Sequence, residues 1–364
     1  SDRWSELIRR VIEQPADARD LGRRARAWVG ERHRAARQVA KLFATDHHER
    51  IVSSDQFGDV DRIAAIFDEP FADASALPTL RVCELAREHV TVALSGDGAD
   101  EAFAGYRRQA FHAREEQVRS VLPSGLREPM FGTLGRLWPK ADWAPRPLRA
   151  KTTLLSLGGS GEAGYARALA ILSPEQRELL YDAAFLRERG DYRAEQPLEK
   201  LMRDAPARSG LDRAQYADLK FWLPGDILTK TDRTSMAVGL EAREPLLDHR
   251  LIEFGARLPH RERLRGTSGK WLMKRTMERY LPDEILYRQK QGFVTPLAEW
   301  FRGPLASEAR AIASSELLTG NGLFARKALA RLADEHISGR SDHGRVLWQL
   351  LMLERSLRHL KPSA

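Results

Sequence analysis

The chain has 364 residues, of which 42% are hydrophobic and 30% are charged, a composition typical of a soluble globular protein and not of a disordered one. No apolar run approaches the roughly 20 residues that a membrane helix needs, and the polar residues 1–30 do not have the form of a secretory signal. The single cysteine, Cys83, excludes an internal disulfide and a thiolate metal cluster, so we expect a protein of the reducing cytoplasm.

The formal net charge of +8 raises the question of nucleic-acid binding. The 48 arginines and 11 lysines are scattered among acidic residues and do not form blocks. Clustering, rather than net charge, marks a nucleic-acid-binding surface. We therefore expect neither nucleic acid nor membrane among the partners, and a basic nucleic-acid-binding protein remains an alternative from another functional class.

The spacing of apolar residues predicts a strand between helices in the first half of the chain. His89–Leu94 is an apolar, β-branched run, typical of a strand buried on both faces of a parallel sheet. Residues 123–160 are rich in Pro, Gly and Trp and predict an irregular surface segment. Helices are predicted over residues 4–12, 34–43, 60–67, 80–88, 164–172, 174–181, 198–203 and 214–222. The predicted fold class is α/β, a doubly wound parallel sheet with a large helical layer in the second half.

A glycine-rich acidic turn, Ser95–Glu101, follows the predicted strand and leads into a helical stretch. Its glycines free the backbone to approach a ligand, and the N–H groups at a helix start can hold phosphate oxygens. Acidic residues there suit a phosphate ligand if Mg²⁺ lies between carboxylate and phosphate. The alternative is an acidic helix N-terminus that satisfies its own dipole, and spacing alone leaves both interpretations open.

Two later stretches also carry chemistry. Six ionisable groups between Asp226 and Arg243 are threaded through apolar residues and predict a buried ion-pair network, which either shapes a pocket or holds helices in register. Because Glu241 and Arg243 have apolar neighbours, we expect at least one of them to be largely buried and paired. Lys290 precedes a glycine in a loop, where its ammonium could neutralise a phosphate or a developing oxyanion.

Taken together, these stretches resemble the C-terminal synthetase domain of glutamine-dependent asparagine synthetases and their amidotransferase relatives. The order and spacing of four stretches match the family: residues 95–101 with Gly105-Tyr106, then 230–236, 241–248 and 288–293. Asp68–Ser75 also fits, and the resemblance runs from about Arg34 to Leu357. The sequence of residues 45–88 most resembles the branch of the family associated with bacterial exosortase and exopolysaccharide loci.

The resemblance implies a fold of the adenine-nucleotide α-hydrolase type that uses ATP and Mg²⁺. In this family a side-chain carboxylate is activated as an acyl-adenylate, pyrophosphate is released, and ammonia from a glutaminase domain displaces AMP. The substrate is then a small carboxylate, aspartate or a relative of it. Such a reaction expels a highly charged leaving group, which a metal ion and a lysine can neutralise.

The resemblance also implies roles for seven residues. Ser95, Gly96 and Gly98 are expected to contact ATP. Asp97 occupies the acidic position tied to formation of the adenylate, and Asp100 is expected to hold Mg²⁺ or pyrophosphate. Tyr106 and Lys290 occupy positions that stabilise the intermediate. If these motifs form one site, Asp97 and Asp100 lie at the carboxyl end of a buried parallel strand, with the Lys290 ammonium within roughly 15 Å of them.

Two features of the family are not found in these 364 residues. They are a Ser-Gly-Gly-x-Asp-Ser loop that wraps the pyrophosphate and a glutaminase domain that begins with a nucleophilic cysteine. A fragment, an evolved short form and the product of a disrupted gene are the three explanations. Residues 1–30 match nothing expected of the family. We therefore divide the chain into a helical, Arg-rich leader (1–30), a synthetase domain truncated at its N-terminus (31–357) and a tail (358–364).

Two functional interpretations follow. The first is an ATP-dependent, amide-forming ligase domain that works with a glutaminase domain. The second is a catalytically inactive remnant that binds nucleotide weakly or partners another chain. The lack of the pyrophosphate loop favours inactivity of the chain on its own, and a homodimer or a separate amino-terminal half is the expected protein partner.

Overall fold

The structure is a computed structural model that describes residues 35–50, 59–138, 150–288 and 295–360. Residues 35–42 are helical, which agrees with the helix predicted over 34–43; Ala40 is buried in it, whereas Phe43, just after it, is half exposed. The helix predicted over residues 4–12 lies outside the described residues.

The first half of the described chain is helical around one short strand. That strand, β1, is Val92–Leu94 and lies between the second and third helices of the following series. In chain order the helices are α1 (Asp59–Ile66), α2 (Ala76–Arg87), α3 (Ala99–Ala102), α4 (Arg107–Val121), α5 (Ser124–Arg127), α6 (Thr133–Leu137), α7 (Lys151–Gly158), α8 (Gly161–Leu169), α9 (Pro174–Glu178), α10 (Ala183–Arg189) and α11 (Gln196–Arg203). A π-helix, Glu128–Gly132, joins α5 to α6.

The second half begins with helices on either side of another short strand, β2. In chain order these elements are α12 (Gly210–Ala217), an 11-residue π-helix (Asp218–Leu228), α13 (Thr229–Met236), strand β2 (Glu241–Arg243), a 3₁₀ turn (Pro245–Leu247), α14 (His249–Arg257) and α15 (His260–Arg263). A hairpin of β3 (Leu264–Arg265) and β4 (Ser268–Gly269) precedes the last helices: α16 (Trp271–Met277), α17 (Asp283–Leu286), α18 (Leu297–Arg302), α19 (Ala306–Ser314), α20 (Glu316–Thr319), α21 (Arg326–Ile337) and α22 (Gly344–Leu360).

The prediction that residues 123–160 are irregular is wrong for the described part of that segment, because α5, α6 and α7 lie there; residues 139–149 lie outside the described residues. The glycines that suggested loops are points where helices approach closely. A Cβ on Gly158 would lie 2.8 Å from the backbone nitrogen of Gly132, and one on Gly135 would lie 2.9 Å from that of Leu155. Real Cβ atoms do not approach backbone so closely, so Gly135 allows α6 to pack against α7, and Gly158 allows α7 to pack against the π-helix before α6.

The sheet that positions the site is small. β1 pairs with β2 in parallel, with Val92 opposite Glu241 and Leu94 opposite Arg243, while β3 and β4 pair antiparallel. The prediction that the first strand is buried on both faces is wrong, since Val92 is 38% and Leu94 73% exposed. Within the described residues β1 has only β2 beside it. A sheet of only two strands gives its side chains little burial of its own.

The largest hydrophobic core joins the two ends of the described chain. Ile63 of α1 and Leu80 of α2 are fully buried in it, together with Phe301 of α18 and Trp348 of α22. A second core lies under α8, α11 and α12 and contains Tyr165, Leu198 and Met202. The described chain is therefore mostly helical with small sheets, and none of its described helices is both long and apolar enough to span a bilayer.

Candidate active site

The acidic turn begins where β1 ends. The backbone N–H of Ser95 continues the parallel pairing and donates to the carbonyl of Arg243 at 2.8 Å. The Ser95 hydroxyl donates to the carboxylate of Asp97 at 2.6 Å and accepts from the Asp97 backbone N–H at 3.2 Å. This local ring of hydrogen bonds fixes Asp97 at the carboxyl end of β1, as predicted, although the strand itself is exposed.

Residues from two other elements surround the Asp97 carboxylate. Thr231 of α13 donates its hydroxyl to Asp97 at 3.1 Å. Glu244 follows β2, so it lies at the same edge of the parallel pair as Asp97. Partial burial raises the pKa of Glu244, and the negative charge of Asp97 raises it further. Two carboxylates therefore share the carboxyl ends of β1 and β2.

The two glycines of the turn differ in their surroundings. A Cβ on Gly96 would meet nothing within 4 Å, so the backbone there is open to a ligand. Gly98 has φ +95°, and a Cβ there would lie 2.2 Å from the side chain of Leu247. Gly98 is thus required by the left-handed conformation and by packing against the 3₁₀ turn, a requirement that is independent of ligand binding.

Asp100, in the first turn of α3, forms an ion pair with Lys270 at 2.9 Å. Lys270 comes directly after β4, and its backbone N–H donates to the carbonyl of Phe103 at 2.8 Å. A lysine that sequence reasoning did not single out as a partner therefore neutralises the predicted metal ligand. The two residues are 170 positions apart, and no local pattern connects them.

Tyr106, at the N-terminal end of α4, donates its hydroxyl to the carboxylate of Glu101. Glu101 has 1% of its surface exposed. Burial raises the pKa of Glu101 and, with the neighbouring carboxylate, that of Tyr106. The phenol therefore keeps its proton and acts as a hydrogen-bond donor at neutral pH.

A buried network behind Tyr106 was not predicted. The Arg108 guanidinium lies 3.8 Å from the Tyr106 ring centroid and pairs with Asp218 at 3.1 Å. Asp218 is fully buried and also accepts from Tyr165 at 2.6 Å and from Gln109 at 2.7 Å. The available sequence signal was an aspartate in the middle of the apolar run predicted as a helix over residues 214–222.

Among the described residues, the buried network predicted between residues 226 and 243 forms only around Lys230, whose side chain is 12% exposed, while the Arg233–Asp232 and Arg243–Glu241 pairs within the stretch are exposed. Lys230 pairs with Asp73 at 2.6 Å and donates to the Ser75 hydroxyl at 2.8 Å. Arg233 pairs with Asp68 at 2.5 Å. Two of the motifs that carry the family resemblance, Asp68–Ser75 and the 230–236 stretch, are therefore in direct contact.

The prediction that Glu241 or Arg243 is buried is wrong. Their side chains are 56% and 62% exposed and pair with each other at 2.7 Å. Residues two apart in a strand point to the same face, and this face of β2 is open to solvent. The apolar neighbours on which the prediction depended point to the other face or lie outside the strand.

Asp226, in the π-helix, is half-buried, and its carboxylate has no hydrogen-bond partner within the part of the chain that the structure describes. Burial, with the nearby charge of Asp73, raises the pKa of its carboxyl to about 6. Lys230 and Arg108 oppose that shift. Asp226 was expected to take part in the predicted ion-pair network, but among the described residues its carboxylate lies beside the ion pairs of the candidate site and forms none.

The structure thus brings the predicted residues Ser95, Gly96 and Asp97 together with Thr231 and Glu244. Asp100 and Tyr106 lie on α3 and at the start of α4, which follow the same turn. Lys290 lies outside the described residues, so its predicted convergence with Asp97 and Asp100 stays a prediction. Within the described residues no group of three or more His, Cys, Asp or Glu side chains is arranged to hold a metal ion by itself.

Comparison with known proteins bears on this site. The asparagine synthase family profile matches residues 31–358. A putative glutamine-hydrolyzing asparagine synthetase of Mycobacterium tuberculosis is 34% identical over 317 residues, which are 86% of this chain and 46% of that protein. A glutamine-hydrolyzing asparagine synthetase of Bacillus subtilis is 26% identical over 87% of this chain and 48% of its own length.

More distant matches include an amidase of Penicillium rubens, 22% identical over 77% of this chain and 44% of that protein. The chain spans about half the length of the curated relatives that it matches. The family profile covers most of the chain, including the acidic turn, the Asp68–Ser75 segment and α13. The chain belongs to the asparagine synthase family.

Proposed function

We propose that this chain is the ATP-dependent, amide-forming ligase domain of an asparagine synthase, which activates a carboxylate by adenylation before ammonia attacks it. One observation carries the proposal. In a chain of this family, the acidic turn after β1, Thr231 and Glu244 meet at the carboxyl ends of two parallel strands. Ligands of α/β sheets bind at such edges. A small carboxylate such as aspartate is the proposed acceptor, and a glutaminase domain the proposed source of ammonia.

The donor groups at this edge fit Mg²⁺. Asp97 and Glu244 are two carboxylates close enough for the charge of one to raise the pKa of the other, and a cation between them would relieve that repulsion. Mg²⁺ prefers one or two carboxylates together with phosphate oxygens. When bound, the ion would neutralise charge on the phosphates. Asp100, the other proposed ligand, is already paired with Lys270, and we propose that this pair faces the pyrophosphate.

The remaining residues have proposed roles that match their surroundings. Gly96 leaves open space for the nucleotide to approach the backbone, and the Ser95 hydroxyl orients Asp97. Tyr106 retains its proton and can hold an oxygen of the intermediate or fix Glu101. Lys290 is proposed to neutralise the developing charge. Amide formation requires the attacking ammonia to lose a proton, a step suited to a positioned general base.

We further propose that β1 and β2 belong to a doubly wound parallel sheet, with the helical layer packed over it. The exposed apolar residues Val92 and Leu94 support this proposal, because strands of such sheets are covered on both faces. The described residues supply only these two parallel strands. Further strands would come from polypeptide other than the described residues.

A second candidate is a chain that carries the family's site but does not complete adenylation alone. The lack of a Ser-Gly-Gly-x-Asp-Ser loop in the sequence favours it. The contacts that this loop is expected to make with the pyrophosphate are then not supplied by these 364 residues. We therefore expect weak ATP binding and no acyl-adenylate from the purified chain.

Pyrophosphate release with ATP, Mg²⁺, aspartate and ammonia tests both proposals. The purified chain is compared with the chain mixed with the part of the Mycobacterium relative that it does not cover. We expect release only from the mixture, and an Asp97→Ala variant of the chain should abolish it. Arg243→Ala, at the exposed pair on the neighbouring strand, is the matched control and should leave release unchanged.

The outcomes separate the two proposals. Steady release from the chain alone that is lost in Asp97→Ala would contradict the expected inactivity and support the ligase function. A stable mixed complex that releases no pyrophosphate with aspartate or other small carboxylates would contradict the ligase function itself.

A further inference from the structure

Arg108 lies between two aromatic rings that belong to different elements. Its guanidinium carbon is 3.8 Å from the ring centroid of Tyr106 and 4.7 Å from the ring of Trp222. Tyr106 stands at the start of α4, directly after the acidic turn and α3, and Trp222 lies in the π-helix. A planar cation can stack on both rings at once, which a lysine ammonium cannot do.

The Arg108 guanidinium is also fixed by two polar partners, Asp218 and Tyr165. It pairs with Asp218 at 3.1 Å and donates to the hydroxyl of Tyr165 at 3.1 Å. Asp218 is fully buried and also accepts from Tyr165 and Gln109. A buried carboxylate with three donors has little freedom to move. The position of Arg108 is therefore fixed by residues that lie away from the acidic turn.

The two rings differ in their other contacts. The indole nitrogen of Trp222 is buried and has no hydrogen-bond partner among the described residues, so no such bond orients that ring. The Tyr106 hydroxyl reaches Glu101 in α3. Arg108 thus connects α3 and the start of α4 with the π-helix that carries Asp226.

We propose that Arg108, anchored by Asp218, is a positioning residue that holds Tyr106 and Trp222 as one wall of the candidate active site. The expected effect of Arg108 on catalysis rests on the proposed function, whereas its expected effect on the orientation of the two rings does not. Loss of the planar guanidinium should release both rings while the charge opposite Asp218 is kept. Arg108→Lys makes that change, because lysine keeps the charge and loses the flat surface.

The first measurement is the ¹⁹F NMR spectrum of the full chain labelled with 5-fluorotryptophan or 3-fluorotyrosine. Trp222→Phe and Tyr106→Phe assign the two resonances. Arg107→Lys is the matched control, since Arg107 is exposed, lies one residue away in α4 and stacks on Phe111 at 5.2 Å. We expect Arg108→Lys to shift both resonances and Arg107→Lys to shift neither. Unfolding in urea confirms that each variant is folded at the temperature of measurement.

The second measurement is the rate of pyrophosphate release under the conditions in which the wild-type chain is active. We expect Arg108→Lys to lower kcat about tenfold, as for a small misplacement of a site residue, with KM for ATP within about twofold. Asp218→Asn, which loosens the anchor, should act in the same direction and less strongly.

Each result has a definite meaning. Unchanged Tyr106 and Trp222 resonances in a folded Arg108→Lys variant would overturn the proposal, whatever the activity. Shifted resonances with an unchanged kcat would show that Arg108 orders the rings without serving the reaction, and would overturn its positioning role. Shifted resonances with no release from the wild-type chain in any mixture would support the wall of rings and contradict the proposed function.

Discussion

Burial separates the charged residues of the candidate site into two kinds. Asp218 is fully buried, and its partner Arg108 has a side chain only 16% exposed. Glu241 and Arg243 form a shorter pair, at 2.7 Å, on the open face of β2, with more than half of each side chain exposed. Exposed pairs contribute little to stability, whereas removal of one partner from a buried pair leaves an uncompensated charge.

Alanine substitutions at the two arginines should therefore differ. We expect Arg108→Ala to lower the free energy of unfolding by about 3–5 kcal/mol, because it leaves the buried Asp218 carboxylate without its cation. Arg243→Ala should change it by less than about 0.5 kcal/mol. Urea denaturation of both variants measures the difference, and equal midpoints would contradict this assignment of buried and exposed pairs.

His112 is a buried titratable residue with no role in the proposed reaction. It lies in α4 with 3% of its surface exposed, and neither ring nitrogen has a hydrogen-bond partner among the described residues. Burial lowers its pKa to about 4, and the nearby Arg119 and Arg213 favour the neutral form, against the opposite effect of Glu116 and Glu162. The folded protein therefore keeps the ring neutral under mildly acidic conditions.

Because the pKa of His112 is lowered in the folded protein, acid should lower the free energy of unfolding. In the unfolded chain the ring takes up a proton near pH 6.5, whereas in the folded chain it does so only near pH 4. The contribution of His112 is thus complete above pH 6.5 and is lost as the pH falls towards 4, by about 3 kcal/mol in all. His112→Phe should flatten the dependence of the unfolding free energy on pH over that range.

Carboxyl groups also make the protein sensitive to acid, so the difference between variants is the quantity to measure. His359→Phe, at an exposed position in α22, is the control and should keep the slope of the wild-type chain. A slope in His112→Phe as steep as that of the wild type would show that His112 takes up its proton equally well in the folded protein.

At the scale of the element, the acidic turn combines an open position with a packed one. Gly96→Ala places a methyl group in open space at a backbone without positive φ, whereas Gly98→Ala combines φ +95° with a contact of 2.2 Å to Leu247. We expect Gly98→Ala to lower the free energy of unfolding by about 1–3 kcal/mol or more, and Gly96→Ala to change it by less than about 0.5 kcal/mol.

Thermal unfolding and ATP binding by the two glycine variants would separate packing from ligand contact. If Gly96 borders the nucleotide, Gly96→Ala should weaken binding to the active mixture without changing the melting temperature. Equal melting temperatures for both variants would contradict the packing role of Gly98.

The elements that were predicted correctly from local sequence are those that depend on interactions between residues close together in the chain. The helices predicted over 60–67 and 80–88 correspond to α1 and α2, with the second beginning four residues earlier. The turn after β1 follows directly from its own residues, since Ser95 and Asp97 bond to each other. Segments with strong apolar spacing or short-range hydrogen bonds need little information from the rest of the fold.

Predictions that depended on distant partners were wrong or absent. Burial of Leu94 depends on which elements cover β1, and the strand pattern does not contain that information. The pairs Asp100–Lys270 and Arg108–Asp218 join residues more than 100 positions apart. The π-helix also departs from the usual helical period. The spacing of apolar residues therefore predicted a helix only up to residue 222, whereas the π-helix continues to Leu228.

At the scale of the whole molecule, the chain folds so that its described ends share one core. Residues of α1 and α2 pack with residues of α18, α19, α21 and α22 in the largest hydrophobic cluster. The second cluster, around Tyr165 and Met202, is built from α8, α11 and α12 in the middle of the chain. The acidic turn and α13 lie between these regions in sequence, and α13 packs on α2. Stability of the site therefore depends on contacts between distant parts of the chain.

A large-to-small change in the shared core should report this arrangement. Trp348 of α22 has 1% of its surface exposed, and Trp348→Ala should lower the free energy of unfolding by about 3–5 kcal/mol. Hydrogen exchange should then show lost protection in α1, almost 300 residues away in sequence, before it does so in α8 and α11. Met202→Ala in the second core is the matched change and should reverse that order. Loss of protection at the same rate in all three helices in both variants would mean that the two clusters unfold as one unit, so that the site depends on both equally.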